Sequence, residues 1–192
     1  MKGTVIYLHG FLSSGASKKA DVLRHVAPDY GWEVLAPDLN AQPVDVCRII
    51  DRVFNEARQK GPVAFVGASL GGFYGAWIAQ KTGCKAVLVN PAVAPWEVVD
   101  RYIGVHQIYA SQRTIEVKPE FSTQLRKIDV PRFDKASRIL LFLTTGDEVL
   151  DWQCAAKKYD NCPSLVIDGS DHMVSNFADY ADDVMRFLSR EN

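Results

Sequence analysis

Val63-Ala64-Phe65-Val66-Gly67-Ala68-Ser69-Leu70-Gly71-Gly72 is the stretch whose reading decides the architecture. Its first four residues are apolar on successive positions, as in a strand buried on both faces. Phe73-Tyr74-Gly75-Ala76-Trp77-Ile78-Ala79-Gln80 follows and reads as a helix. Between them lies Gly-x-Ser-x-Gly, a serine pinched between strand and helix. A side chain at Gly67 or Gly71 would strike neighbouring backbone in so tight a turn. The turn forces Ser69 into a strained conformation that lifts its hydroxyl clear of the sheet. The helix start beyond it offers free N–H groups to an anion. The motif alone is weak, since small-residue turns also let helices pack closely on sheets. The strand before it and the helix after it make it informative.

Outward from this stretch, other apolar runs repeat the pattern. Strands are expected at 5–8, 33–36, 86–89, 139–143 and 165–167. Helices are expected at 18–27, with Ser17 as N-cap, at 43–59 from Pro43, after the elbow as far as Gly83, at 152–159 and at 176–189. Val46, Ile49, Ile50, Val53 and Ala57 form one helical stripe, and Phe177, Tyr180, Ala181, Val184 and Leu188 another. Six strands alternating with helices imply a mostly parallel, doubly wound α/β sheet in one domain spanning 1–192. From 92 to 137 the alternation fails. Pro95, Pro119 and Pro131 interrupt it, and only 96–103 and 121–128 suggest helices.

Composition narrows the function classes. The chain has 192 residues, 47% hydrophobic and 23% charged, which suits one globular domain with its own core. A net charge of −1 gives no overall attraction to nucleic acid or to a membrane surface. The apolar run near Met1 is too short for a signal peptide, and no run approaches spanning length. Cys47, Cys84, Cys154 and Cys162 have neither Cys-x-x-Cys nor zinc-finger spacing. They read as free thiols in a reducing compartment, so a cytoplasmic location is expected. No internal repeat is present.

In a doubly wound sheet, ligands sit at the carboxyl ends of the strands. His9-Gly10, Ser69, Asn90, Asp147 and His172 all lie just past such ends. A serine hydroxyl needs a base, and the base needs a third group to fix its tautomer. Ser69, Asp147 and His172 supply nucleophile, acid and base in the chain order expected after a Gly-x-Ser-x-Gly elbow. The interval from Asp147 to His172 is enough for one helix and one strand, which puts the two on adjacent loops. Glu148 and Asp151 are rival acids; Asp171 adjoins His172 too closely to orient its ring well. The backbone N–H groups of Leu70 and Phe11 are the expected oxyanion donors. His9 is expected to hold the Phe11 loop; His106 lies in the irregular segment, where substrate contact is only a minor alternative. No His/Asp cluster has metal-ligand spacing, and no cofactor is implied.

Tyr7-Leu8-His9-Gly10-Phe11 with Ser13-Ser14, the elbow with Tyr74, Val89-Asn90-Pro91-Ala92-Val93, Thr145-Gly146-Asp147-Glu148-Val149-Leu150-Asp151, and Gly169 with His172 together resemble the α/β-hydrolase superfamily. Within it, the chain resembles more closely the small bacterial esterases of the YqiA type. That resemblance runs nearly end to end and departs at Ala68 and at Ser170-Asp171. It implies a trimmed α/β-hydrolase fold without the usual leading hairpin, and 92–137 stands where the superfamily inserts its lid. It also implies hydrolysis of a small-molecule carboxylic ester or acyl-thioester by Ser69, Asp147 and His172, with Phe11 and Leu70 as oxyanion donors.

Ser14, Asn90, Trp96 and Tyr102 are expected to contact substrate, Trp96 and Tyr102 together with Ile103 and Tyr109 as an acyl pocket. The same aromatics equally suit a satellite core, and Ser14 an ordinary turn serine. Two other functions fit the same residues. One is a non-catalytic ligand-binding protein that keeps the fold; the other is cleavage of amide or carbon–carbon bonds by the same triad.

Overall fold

Val5-Ile6-Tyr7-Leu8 and Ala86-Val87-Leu88-Val89 are apolar at every position, so each must be covered from both sides. The computed structural model, which describes residues 3–190, covers them in that way. The central strands are β1 (Gly3–Leu8), β2 (Trp32–Leu35), β3 (Val63–Ala68), β4 (Ala86–Val89), β7 (Ile139–Thr144) and β8 (Ser164–Ile167). They lie in the order β2-β1-β3-β4-β7-β8, and every neighbouring pair is parallel. The expected mostly parallel sheet is thus wholly parallel among the described residues.

Alternate residues of each strand feed two cores. Ile6, Leu8, Phe65, Leu88 and Leu141 face α2 (Pro43–Ala57), α3 (Leu70–Thr82) and α5 (Trp152–Lys158). Val5, Tyr7, Val66, Val87 and Phe142 face α1 (Lys18–Val26) and α6 (Ala181–Ser189). Helix ends follow local chemistry. The Ser17 side chain accepts the Ala20 N–H at 3.3 Å, and Gly83 closes α3 at φ 70°. The expected helix at 176–189 begins as a 3₁₀ turn, Phe177–Tyr180, before α6.

Between β4 and β7 the structure departs from expectation. The segment 96–103 is not a helix but two 3₁₀ turns, Pro95–Glu97 and Val99–Tyr102. An unexpected antiparallel hairpin follows, β5 (Gly104–Gln107) with β6 (Thr114–Val117), then α4 (Glu120–Arg126). In β6 the alternation is clean, with Ile115 and Val117 buried. In β5 the apolar Val105 points outward at 69% exposure, which hides the strand pattern in the sequence. Val99, Ile115, Val117, Phe121 and Leu125 join the core on the α2–α3 side, so the segment has no separate interior.

Strand order places the cleft. The chain runs from β1 outward to β2, then returns to β3 on the other side of β1. The crevice past the carboxyl ends of β1 and β3 is therefore the switch point where open α/β sheets bind ligands. His9-Gly10-Phe11 leaves one strand there and Ser69 the other.

Candidate active site

Ser69 sits at φ 55° and ψ −121°, well outside the regions open to ordinary residues. Glycine on either side makes the turn sterically feasible. A Cβ at Gly67 would come within 2.2 Å of the Gly71 carbonyl oxygen, and one at Gly71 within 2.0 Å of the Leu8 carbonyl oxygen. The main chain of Ser69 is fully engaged. Its N–H donates to Val89 O at 3.0 Å, and its carbonyl accepts from Gly72, Phe73 and Ala92 N–H. Its side chain does not cap α3, although Ser69 holds the N-cap position. Leu70, the first residue of α3, has no residue four back in the helix to accept its N–H, which leaves that donor for an anion.

Asp147 and His172 meet. His172 Nδ1 lies 2.8 Å from Asp147 Oδ2, and the Asp147 side chain is 1% exposed. Asp147 Oδ1 accepts the N–H groups of Val149 and Leu150 at 2.9 and 2.8 Å, which fixes the carboxylate plane. With Nδ1–H donated to a carboxylate, the Nε2 lone pair of a neutral ring is left to accept a proton. The rivals are occupied elsewhere. Glu148 Oε2 accepts the His172 main-chain N–H at 2.9 Å, Asp151 caps α5 through Gln153 N–H, and Asp171 binds Ser175.

Residue 90 joins the elbow to the histidine loop. Val89 O accepts from Ser69, and the next residue, Asn90, turns through φ 40°. The Asn90 amide, 3% exposed, donates to Thr144 Oγ1 at 2.9 Å and to His172 O at 3.3 Å, and its oxygen accepts Thr144 N–H at 3.0 Å. Among the described residues no hydrogen bond joins the Ser69 hydroxyl to the His172 ring, a common state for such pairs without substrate.

The Phe11 loop is built differently. His9 is buried, with Nε2 accepting Leu39 N–H at 2.9 Å, which assigns the proton to Nδ1 beside Gly10 O. Burial pushes its pKa below the ordinary histidine value. The Phe11 ring packs edge-on against Tyr102 and Phe121, at 5.4 and 6.2 Å between centroids. Leu12 O accepts Tyr109 N–H at 2.8 Å, and Arg113 pairs with Asp38. The β5–β6 hairpin therefore leans on the loop that holds Phe11. A space of about 10 Å³ between His9, Phe11, Leu70, Tyr74 and Phe121 has room for little more than one water.

Of the four residues expected to touch substrate, Tyr102 lies beside Phe11 and is 43% exposed. The other three make contacts within the fold. Asn90 is the buried tie just described. Ser14 makes a turn bond with Ala16 N–H. Trp96 packs on Phe73, with Arg126 and Lys158 over its ring. His106 Nε2 lies 2.7 Å from Tyr102 O, so it braces Tyr102. Sequence reasoning did not pick out Thr144, whose partner Asn90 lies 54 residues away, and it weighed Glu148 only as a rival acid, not as the acceptor of the His172 main-chain N–H.

The parallel sheet, with Ser69 on its tight strand–helix turn and the Asp147–His172 pair at its carboxyl edge, has the α/β-hydrolase fold. Residues 4–189 match the uncharacterised protein family UPF0227, and the chain belongs to that family. A UPF0227 protein of Serratia proteamaculans (strain 568) is 27% identical over 158 residues, 80% of each chain. Est1E from Butyrivibrio proteoclasticus is 17% identical with a TM-score of 0.76, aligned over 97% of this chain and 87% of that one. The esterase domain of a Rhodothermus marinus protein is 20% identical with a TM-score of 0.69, over 97% and 85%. Among the described residues no helix is long and apolar enough to cross a membrane.

Proposed function

We propose that the chain is a serine hydrolase acting on small carboxylic esters or acyl-thioesters. The observation that carries this reading is the 2.8 Å contact between His172 Nδ1 and the buried Asp147 carboxylate, on the same sheet edge as the strained Ser69. The Ser69 oxygen attacks the acyl carbon while His172 Nε2 takes its proton. Asp147 holds the ring in the right tautomer and stabilises the imidazolium. The N–H groups of Leu70 and Phe11 receive the developing oxyanion. His172 returns the proton to the leaving group, and water then releases the acyl group from Ser69 by the same path. The esterase names of the Butyrivibrio and Rhodothermus neighbours support this chemistry.

Segment 92–137 acts as the lid-like part of the site through Tyr102 and the hairpin. The substrate lies against Phe11 and Tyr102, because the space behind them is too small for a chain. The four cysteines are free, which fits a reducing cytoplasm.

A fluorophosphonate probe tests the mechanism. Ser69 becomes labelled in the wild type, and Ser69→Ala lowers p-nitrophenyl acetate turnover by about 10⁶ if the three residues act as a unit. Ester hydrolysis undiminished in that variant rules the mechanism out. Wild-type binding without turnover favours a ligand receptor instead.

A further inference from the structure

The loop that carries His172 is gripped by side chains on successive main-chain groups. Asp171 O accepts from Thr144 Oγ1 at 3.1 Å and from Asn90 Nδ2 at 3.4 Å. His172 N–H donates to Glu148, and His172 O accepts from Asn90. Met173 O accepts from Lys19 Nζ at 2.5 Å. The first holders stand on the sheet side of the loop, at the ends of β4 and β7. Lys19 reaches in from α1, 154 residues away in sequence.

The loop needs holding. Ser170 and Val174 both take positive φ, 60° and 47°. A β-branched residue resists that conformation more than most, and Val174 is buried at 2% exposure. The bend on either side of His172 is therefore imposed from outside. Lys19 is itself in an unusual place. It is 5% exposed, and its hydrogen bond goes to a neutral carbonyl rather than to a carboxylate. Burial pushes its pKa down to about 8, with Asp171 opposing the shift. A residue kept there only for packing gains nothing from an ammonium head.

We propose that Lys19 is a positioning residue for His172, acting through the Met173 carbonyl to hold the imidazole toward Ser69. This rests on the serine-hydrolase reading. Removing the donor releases the Met173 carbonyl, so the strained turn at Val174 relaxes and swings the ring with it. Displacements of about 1 Å cost roughly 10²-fold in rate.

The test uses the full chain as wild type, Lys19→Met and Lys19→Arg. Steady-state kcat and KM for p-nitrophenyl acetate are read beside thermal midpoint and amide hydrogen exchange over residues 168–176. Lys19→Met is expected to lower kcat by roughly 10²-fold, with KM and midpoint little changed and with faster exchange in that segment. Lys19→Arg, which keeps a donor, restores much of the rate. Unchanged kcat in Lys19→Met overturns the proposal. So does a loss that tracks a falling midpoint and is not rescued by arginine, because that marks a packing role alone. If Lys19→Met does not fold, Lys19→Gln, whose shorter side chain holds Met173 O less well, is read instead: a lowered kcat with faster exchange over 168–176 supports the proposal, and wild-type kcat with unaltered exchange overturns it. A wild type that turns over no ester sinks the hydrolase reading. The exchange arm still judges the grip of Lys19 in that case, and unaltered exchange over 168–176 overturns it.

Discussion

The two halves of the candidate site are held by different parts of the molecule. The acid–base half, Asp147 and His172, is tied to the sheet by buried polar side chains: Asn90, Thr144 and, from α1, Lys19. The proposed oxyanion half, around Phe11, leans on the segment between β4 and β7. There the ties are two aromatic edges, one main-chain bond and an exposed ion pair. A buried polar network is costly to disturb, because each lost partner strands another group. Contacts of the second kind are individually weak and open to change. The Asp147–His172 pair is thus anchored in the core, while the hairpin beside Phe11 is held by contacts that are easier to alter.

Substitutions that cut the first half test this contrast most sharply. Asp147→Asn should lower kcat by about 10⁴, because the amide permits the wrong histidine tautomer, while folding survives. Steady-state kinetics beside circular dichroism checks both parts. A fall below tenfold would place the orienting group elsewhere, with Glu148 the first alternative. Asn90→Ala should cost about 1–3 kcal/mol of stability, read from the denaturant midpoint, since it orphans the Thr144 N–H in a buried site. It should lower kcat as well.

Arg113→Ala cuts the second half. Its guanidinium is 67% exposed and its partner Asp38 39%, so stability should move by less than about 1 kcal/mol. Substrate preference and KM should shift more than the denaturant midpoint does. The smallest expected effect concerns chain length. Acetyl and butyryl p-nitrophenyl esters should outrun longer ones in the wild type, and Phe121→Ala should narrow that gap by opening space behind Phe11.

Stability against pH tests the Lys19 tie in another way. In the unfolded chain Lys19 titrates near its ordinary value of 10.5, and in the folded protein at about 8. Between those values the unfolded state binds more protons, so the Lys19 contribution to stability rises with pH through that window. Tyr7 works oppositely. Burial raises it from 10.0 to about 12, so its contribution falls as pH climbs past 10.0. The difference between wild type and Lys19→Met isolates the first effect. Urea midpoints at pH 8 and pH 10 should diverge in slope, the wild type gaining on the variant as pH rises. Parallel slopes would show that Lys19 is not desolvated.

The sheet and the elbow were legible because continuous apolar runs have few other places to go. Asp147 and His172 followed from chain order and from the rule that strand ends carry ligands. Residues 104–117 were not legible as a hairpin, because Val105 faces solvent where alternation demands the core. The tie that Asn90 makes between two strands was not legible, because its place past a strand end does not reveal its partner on Thr144. Thr144 and Lys19 escaped for a related reason. Their partners lie 27 and 154 residues away, and no local pattern announces a hydrogen bond over such a span.

The order of strands also bears on how the molecule is made. β1 is translated first yet lies inside the sheet, between β2 and β3. It must wait, unpaired and apolar, while the chain emerges. Parallel pairing of this kind is slow and leaves sticky intermediates. The imidazole at 172 arrives later still, after every strand has been synthesised. Under the mechanism proposed above, a growing chain would carry its serine without the base that arms it until the last strand has been made.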